Sequence, residues 1–284
     1  MAPQSVHHFL KKHGIRPKKR LGQHFLSAMP TIEKIVGAVH PSPDDCILEI
    51  GPGPGLMTAL LAERAAHVIA IDKDESLMAL AREEFSHLRN IHWVVSDILK
   101  ADIPSLLSAL DLQPLTLKVV GNLPYNISSP ILFWLLKGRG RISRATVMLQ
   151  KEVAMRIIAS PGCKDYGILS VQIQAFAKAK RLFDVSPQNF LPPPKVLSSV
   201  IEIDFASATP AVAPGDEDSF RHLVRAAFGK RRKTLRNALI GGRLGVTPDA
   251  IDAALAKEGI DGKRRPETLS VREFATLAAS LKRP

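Results

Sequence analysis

The stretch Cys46-Ile47-Leu48-Glu49-Ile50-Gly51-Pro52-Gly53-Pro54-Gly55 joins a short, largely β-branched apolar run to a turn with glycine at every second position. It reads as a buried strand running into a tight strand-to-helix turn, with the helix opening near Leu56. Glycines there let the backbone approach a ligand closely, and the turn places amide donors at the helix N-terminus. The spacing is G-x-G-x-G, not the G-x-G-x-x-G that holds a pyrophosphate, and Pro52 and Pro54 stiffen the loop. A ligand with a carboxylate and a ribose fits this turn better than a dinucleotide.

Outward from it, further short apolar runs at 67–71, 91–95, 117–121 and 145–150 alternate with helical periodicity over Leu56 to Arg64 and Glu75 to Leu88. That alternation predicts an α/β domain whose parallel sheet is covered by helices on both faces. Ala206 to Asp218 is small, Pro- and Gly-containing and unpatterned, and beyond it Phe220, Val224, Ala227, Leu235, Leu239, Ile251 and Leu255 recur at helical spacing. The expected organisation is therefore an α/β domain with a basic N-terminal segment over 1–205, a linker over 206–217, and an all-helical domain of three or four helices over 218–284.

The chain has 284 residues, 45% of them apolar and 23% charged, which is the composition of a globular protein with a full-sized core. Its two cysteines, Cys46 and Cys163, form no short motif and lie near no histidine cluster, so neither a zinc site nor a disulfide framework is signalled. No apolar run is long enough to span a bilayer, and no secretion signal follows the basic N-terminus, which together predict a cytoplasmic protein. The formal charge of +12 is unevenly spread: residues 1–20 carry +6, residues 218–284 carry +8, and the middle carries −2. A near-neutral body with basic ends suits a polyanionic partner, because Lys and Arg that displace condensed counterions bind phosphates regardless of sequence. A solvated basic surface explains the charge equally well.

Three positions at the carboxyl ends of successive strands define the cofactor expectation: the turn of Gly51 and Gly53, then Asp72, 21 residues beyond Gly51, then Asp97. Asp72 is placed to accept from both hydroxyls of a ribose and Asp97 from the exocyclic amine of an adenine. Together they predict an S-adenosylmethionine site and a Rossmann-like methyltransferase domain. After the fourth strand stands Gly121-Asn122-Leu123-Pro124-Tyr125-Asn126-Ile127-Ser128. An adenine amine is a poor nucleophile, so a catalyst must hold it. The Asn122 side-chain oxygen and the Leu123 carbonyl can each accept one amine hydrogen, while Tyr125 stacks on the base.

On these motifs, and on Lys18-Lys19-Arg20-Leu21-Gly22-Gln23-His24-Phe25-Leu26, Met148 to Val153, Pro192-Pro193-Pro194-Lys195-Val196 and Phe228 to Asn237, nearly the whole chain resembles the KsgA/RsmA small-subunit rRNA adenine dimethyltransferases. The resemblance implies dimethylation of the N6 amines of two adjacent adenosines in the 3′-terminal hairpin of 16S rRNA, within the small (30S) subunit or its precursor, by a monomer. It implies cofactor contacts at His24, Leu26, Gly51, Asp72, Asp97 and Asn122. His24 stands where Asn is common in the family, and Asp72 where Glu is frequent. Phe190 is a candidate second stacking face for the extruded adenine, and Lys195 a candidate phosphate contact. Lys230, Arg231, Arg232, Lys233 and Arg236 form a candidate RNA-binding cluster at the start of a helix. Two other readings stay open: an Erm-type 23S rRNA adenine methyltransferase, and a non-catalytic nucleic-acid-binding assembly or transcription factor. No metal site is legible.

Overall fold

The computed structural model describes residues 5–18, 21–114, 116–230 and 232–281. The chain divides into two compact units, 1–154 with 180–206 and 155–179 with 207–284.

The first unit is built on a seven-stranded sheet. Strands β2 (Cys46–Ile50), β3 (His67–Asp72), β4 (Ile91–Val95), β5 (Leu117–Asn122) and β6 (Ile142–Gln150) are the expected parallel set, and β9 (Ser198–Asp204) and β7 (Lys178–Val185) extend it. The order is β4-β3-β2-β5-β6-β9-β7, with β9 antiparallel to β6. All five residues of β2 are buried because a central parallel strand is covered on both faces. The helices between strands are α3 (Leu56–Ala62), α4 (Glu75–Glu84), α5 (Ile103–Ala109) and α6 (Ser128–Lys137), and α7 (Lys151–Ile157) follows β6 directly. The order reverses between β2 and β5, so the connections leaving their carboxyl ends diverge and open a crevice there.

The basic N-terminal segment is not a loose arm. Helix α1 (Val6–Lys12) buries Val6, Phe9 and Leu10 in the same core as Ile32 and Val36 of α2 (Met29–Val39). Lys12 pairs with Glu84 at 2.6 Å and Lys18 with Asp74 at 2.6 Å. Strand β1 (Phe25–Leu26) pairs antiparallel with β8 (Phe190–Leu191), the two making a small separate sheet.

The second unit is helical. It holds α8 (Ile168–Gln174), α9 (Glu217–Phe228), α10 (Leu235–Gly241), α11 (Pro248–Lys257) and α12 (Val271–Ser280), and α9 packs against α8, α10 and α12. Phe176 meets Phe220 edge-on at 6.0 Å, and Phe228 lies 5.7 Å from Phe274. Residues 155–179 therefore belong with the C-terminal helices, not with the sheet as the boundary at 205 supposed. The stretch read as a linker is also partly anchored in this unit: Val212 is buried and the Ala211 amide donates to the Ala175 carbonyl. No helix among the described residues is long and apolar enough to cross a membrane.

Candidate active site

The site is assembled where β2 and β5 lie side by side, with Ile50 in register with Gly121. A Cβ on Gly121 would stand 2.5 Å from the Ile50 carbonyl oxygen, so glycine is what allows the strands this separation. One residue on, the Gly51 turn and Asn122 face each other across the crevice: a Cβ on Gly51 would sit 3.8 Å from the Asn122 carbonyl oxygen and 3.9 Å from Asp72 Oδ2. Gly55 ends the turn at φ +86°, where a side chain is strained, and a Cβ there would lie 2.8 Å from the Phe85 ring. The turn is thus held from behind by Phe85 and leaves its open side to the crevice.

Phe25, Leu26, Glu49, Gly51, Gly53 and Asn122 line a small, partly open pocket of about 40 Å³. Glu49 is fully buried, and neither carboxylate oxygen has a hydrogen-bond partner in the structure. Burial pushes its carboxyl up to about 7, and the nearby Thr58 hydroxyl, short of hydrogen-bonding geometry, opposes this only in part. Unsatisfied buried carboxylates are rare because they forfeit their hydration without replacement. A cation on a ligand would give this group a partner. The sequence alone assigns Glu49 no role.

Asp72 closes β3, and its Oδ1 accepts from the Asp74 amide at 2.9 Å. Burial raises its carboxyl above the usual range, partly offset by that amide. Asp74 is itself buried and takes Lys18 Nζ at 2.6 Å and Gln23 Nε2 at 2.8 Å. Burial opposes its ionisation, yet these donors hold its carboxyl below the usual range. Asp97 follows β4, half-buried, and caps the short turn Ile98–Lys100 by accepting from the Leu99 amide at 3.0 Å.

The Asn122 amide donates through Nδ2 to the His24 carbonyl at 2.8 Å, which leaves Oδ1 as its accepting atom. The buried Leu123 is fixed by its amide to the Met148 carbonyl at 2.9 Å. The Tyr125 hydroxyl and Ser198 Oγ lie 2.5 Å apart, and burial raises the phenol above its usual range. The structure sets the His24 ring against Tyr125, stacked at 5.7 Å and 21°, with His24 Nδ1 2.8 Å from the Pro192 carbonyl. The His24 side chain is therefore engaged with the reactive loop and the proline loop, while its carbonyl meets Asn122 of the pocket lining. Leu26 keeps its place in the pocket wall.

Phe190 is 3% exposed and lies in the core, with its backbone paired to Leu26. In this arrangement it presents no open ring face, contrary to the expectation of a second stacking surface. Lys195 is exposed. In the helical unit Lys230, Arg232 and Lys233 sit in the turn between α9 and α10, and Arg236 alone of the described cluster is on the helix start. Lys230, Arg232 and Lys233 are exposed there, whereas Arg236, on the first turn of α10, is neutralised by a two-bonded pair with Asp252 at 2.5 and 2.6 Å. Arg231 lies outside the described residues. Cys46 is buried, Cys163 exposed and both are free, and no metal-ligating cluster occurs among the described residues.

Residues 14–283 match the family model described as ribosomal RNA adenine dimethylase. The chain is 46% identical over 268 residues to the ribosomal RNA small subunit methyltransferase A of Geobacter sulfurreducens, covering 94% of this chain and 96% of that one. It is 39% identical over 280 residues to the protein of the same name from Alkaliphilus oremlandii, covering 99% and 97%. Among solved structures it is similar to a dimethyladenosine transferase from Plasmodium falciparum, with a TM-score of 0.74 and 26% identity over 89% of this chain and 96% of that one. The 23S rRNA methyltransferase ErmE aligns with a TM-score of 0.67 and 27% identity over 90% and 99%. With the motifs of its sequence, the crevice at the β2–β5 switch and these matches in agreement, the chain belongs to the ribosomal RNA adenine dimethylase family.

Proposed function

We propose that the protein uses S-adenosylmethionine to dimethylate the N6 amines of two adjacent adenosines in the 3′-terminal hairpin of 16S rRNA, acting as a cytoplasmic monomer on the small subunit or its precursor. The observation that carries the cofactor assignment is Glu49, a buried carboxylate without a partner, in one pocket with Gly51 and Asn122. The small-subunit substrate rests on the relatives of that name, which match this chain nearly end to end.

The bound cofactor supplies an electrophilic sulfonium methyl. Glu49 would hold its ammonium, Asp72, beside Gly51, its ribose hydroxyls, and Asp97 its adenine amine. The target amine is held by Asn122 Oδ1 and the Leu123 carbonyl, which accept its two hydrogens and direct its lone pair at the methyl. Both acceptors are fixed beforehand, Asn122 by His24 and Leu123 by Met148. Tyr125 is anchored by Ser198 at one end and backed by His24 on one face, so its other face is the platform for the base. Lys230, Arg232 and Lys233 contact RNA phosphates, in keeping with shape- and backbone-based reading of A-form helices.

The test is nucleoside mass spectrometry after incubation of the protein and S-adenosylmethionine with small subunits and, separately, large subunits from a strain lacking the modification. N6,N6-dimethyladenosine at two adjacent positions of the hairpin is expected. Product confined to 23S rRNA instead overturns the substrate, and cofactor binding without product on either RNA overturns the enzyme reading.

A further inference from the structure

Beside the reactive loop, the first unit carries a groove of about 970 Å³ in which only His24 and Lys195 have a role above, His24 as the support of Asn122 and Tyr125 and Lys195 as a candidate phosphate contact. One wall is α1 and the segment after it, contributing His7, Lys11, Ile15, Arg16 and Pro17, and the other is the proline loop, with Pro192, Pro193 and Lys195. Small-molecule pockets run from about 300 to 1,000 Å³, so this groove has room for more than one flipped base. Its described lining includes three full cations and no acidic residue. Lys11, Arg16 and Lys195 are all exposed along it.

The groove runs into the reactive loop at two points. His24 belongs to its lining and stacks on Tyr125. Gly22, also in the lining, lies so close to the loop that a Cβ on it would meet Asn126 Oδ1 at 3.1 Å. The groove thus reaches Tyr125 on the face that His24 backs and Asn126 on the loop beside it, so nucleotides flanking a base held on the other Tyr125 face reach the groove by passing around the loop edge at Asn126.

We propose that the groove carries the single-stranded RNA next to the target adenosine, with Lys11, Arg16 and Lys195 on its phosphates and apolar Ile15, Pro17, Pro192 and Pro193 against its bases. This rests on the functional reading above and extends it. Unpaired RNA is bound by cations along its backbone and by side chains against its splayed bases; the groove supplies the cations, the rings of His7 and His24 and an apolar proline wall. Phosphate contacts carry no sequence information, so the adenosine itself is selected at Asn122 and Tyr125.

The experiment uses the full chain and unmodified small subunits. The variant K11Q/R16Q/K195Q changes only exposed side chains, so thermal stability and S-adenosylhomocysteine affinity stay at wild-type values. Its KM for subunits rises at least tenfold with kcat retained, the pattern of lost uniform binding. The slope of log affinity against log salt becomes shallower by about 2, at about 0.7 per lost phosphate contact on a single strand. A photoreactive phenylalanine analogue in place of the exposed His7 cross-links to nucleotides adjoining the methylated adenosines. Unchanged KM and salt slope, or cross-links only to a ribosomal protein or to distant RNA, overturn the proposal while wild-type turnover continues. A wild-type protein that modifies no subunit overturns the functional reading and this proposal with it.

Discussion

Replacing Glu49 with glutamine should stabilise the ligand-free protein at pH 8 and weaken its hold on the cofactor. The carboxyl is displaced from 4.5 to about 7 by burial. At about 1.36 kcal/mol per unit, that is about 3 kcal/mol of folding free energy. The folded state binds the proton more tightly than the unfolded chain. The associated stability is therefore complete below pH 4.5, declines as the pH rises, and is gone once the pH has passed 7. The glutamine side chain is neutral throughout, so wild type and E49Q have similar stability at pH 4.5. At pH 8 the variant melts roughly 6–12 °C higher, at about 2–4 °C per kcal/mol for a unit of this size. Cofactor binding runs the other way. Between pH 5.5 and 7.5 the ligand's amine stays largely protonated, and the wild-type protein must ionise Glu49 to meet it. Its affinity for S-adenosylhomocysteine, followed by titration calorimetry, should rise about twentyfold over that interval and then level off. The variant binds more weakly at pH 7.5 and shows no such rise. A wild-type affinity indifferent to pH, or a variant no more stable than wild type at pH 8, refutes the assignment of Glu49 as an unpaired carboxylate awaiting a cation.

Gly121→Ala forces a methyl to 2.5 Å from the Ile50 carbonyl; with backbone on both sides it should lose about 1–3 kcal/mol or more in urea unfolding and impair cofactor binding, since the two strands frame the crevice. Asn122→Ala removes an acceptor for the target amine and should lower kcat about a hundredfold or more in single-turnover methylation while the circular dichroism spectrum stays that of wild type. In filter binding to the 16S hairpin, Lys233→Ala should weaken affinity and flatten the salt dependence, whereas Arg236→Ala should change the salt slope less because Asp252 already neutralises it.

The parallel part of the sheet was legible because its strands are short, largely β-branched apolar runs, β2 buried throughout and β4 at the margin only in part; β7, with most of its residues exposed or half-buried, gave no such run. The last parallel strand begins at Ile142, three residues before the expected start, because Arg144 disguises it. That arginine is tied across the β6–β9 pair to Glu202 at 3.6 Å and Asp204 at 3.2 Å, partners more than fifty residues away in the chain. The destination of residues 155–179 was hidden for a similar reason: an amphipathic helix announces that it buries a face, not which core receives it. At the site, the glycine turn, Asp72 and Asn122 converge as their spacing suggested. Glu49 left a signal that went unused, since a charged residue inside a strand covered on both faces must be buried. The engagement of His24 with Tyr125 and Pro192, and of Ser198 with the Tyr125 hydroxyl, follows from long-range folding that no local pattern encodes.

The pairing of β1 with β8 sets a timetable for the protein's synthesis. His24 and the Pro192 carbonyl that meets its ring are 168 residues apart, and Phe25 and Leu26, in the pocket wall, are held by the strand just before that proline. At about 5–20 residues per second, roughly 10 to 30 seconds separate the emergence of the two halves of this staple. The glycine turn, Asp72, Asp97 and Asn122 are all made in the interval. A nascent chain has the proposed cofactor groups, and Phe25 and Leu26 of the pocket wall, before it has the strand that holds that wall in place, so the proposed site is completed late.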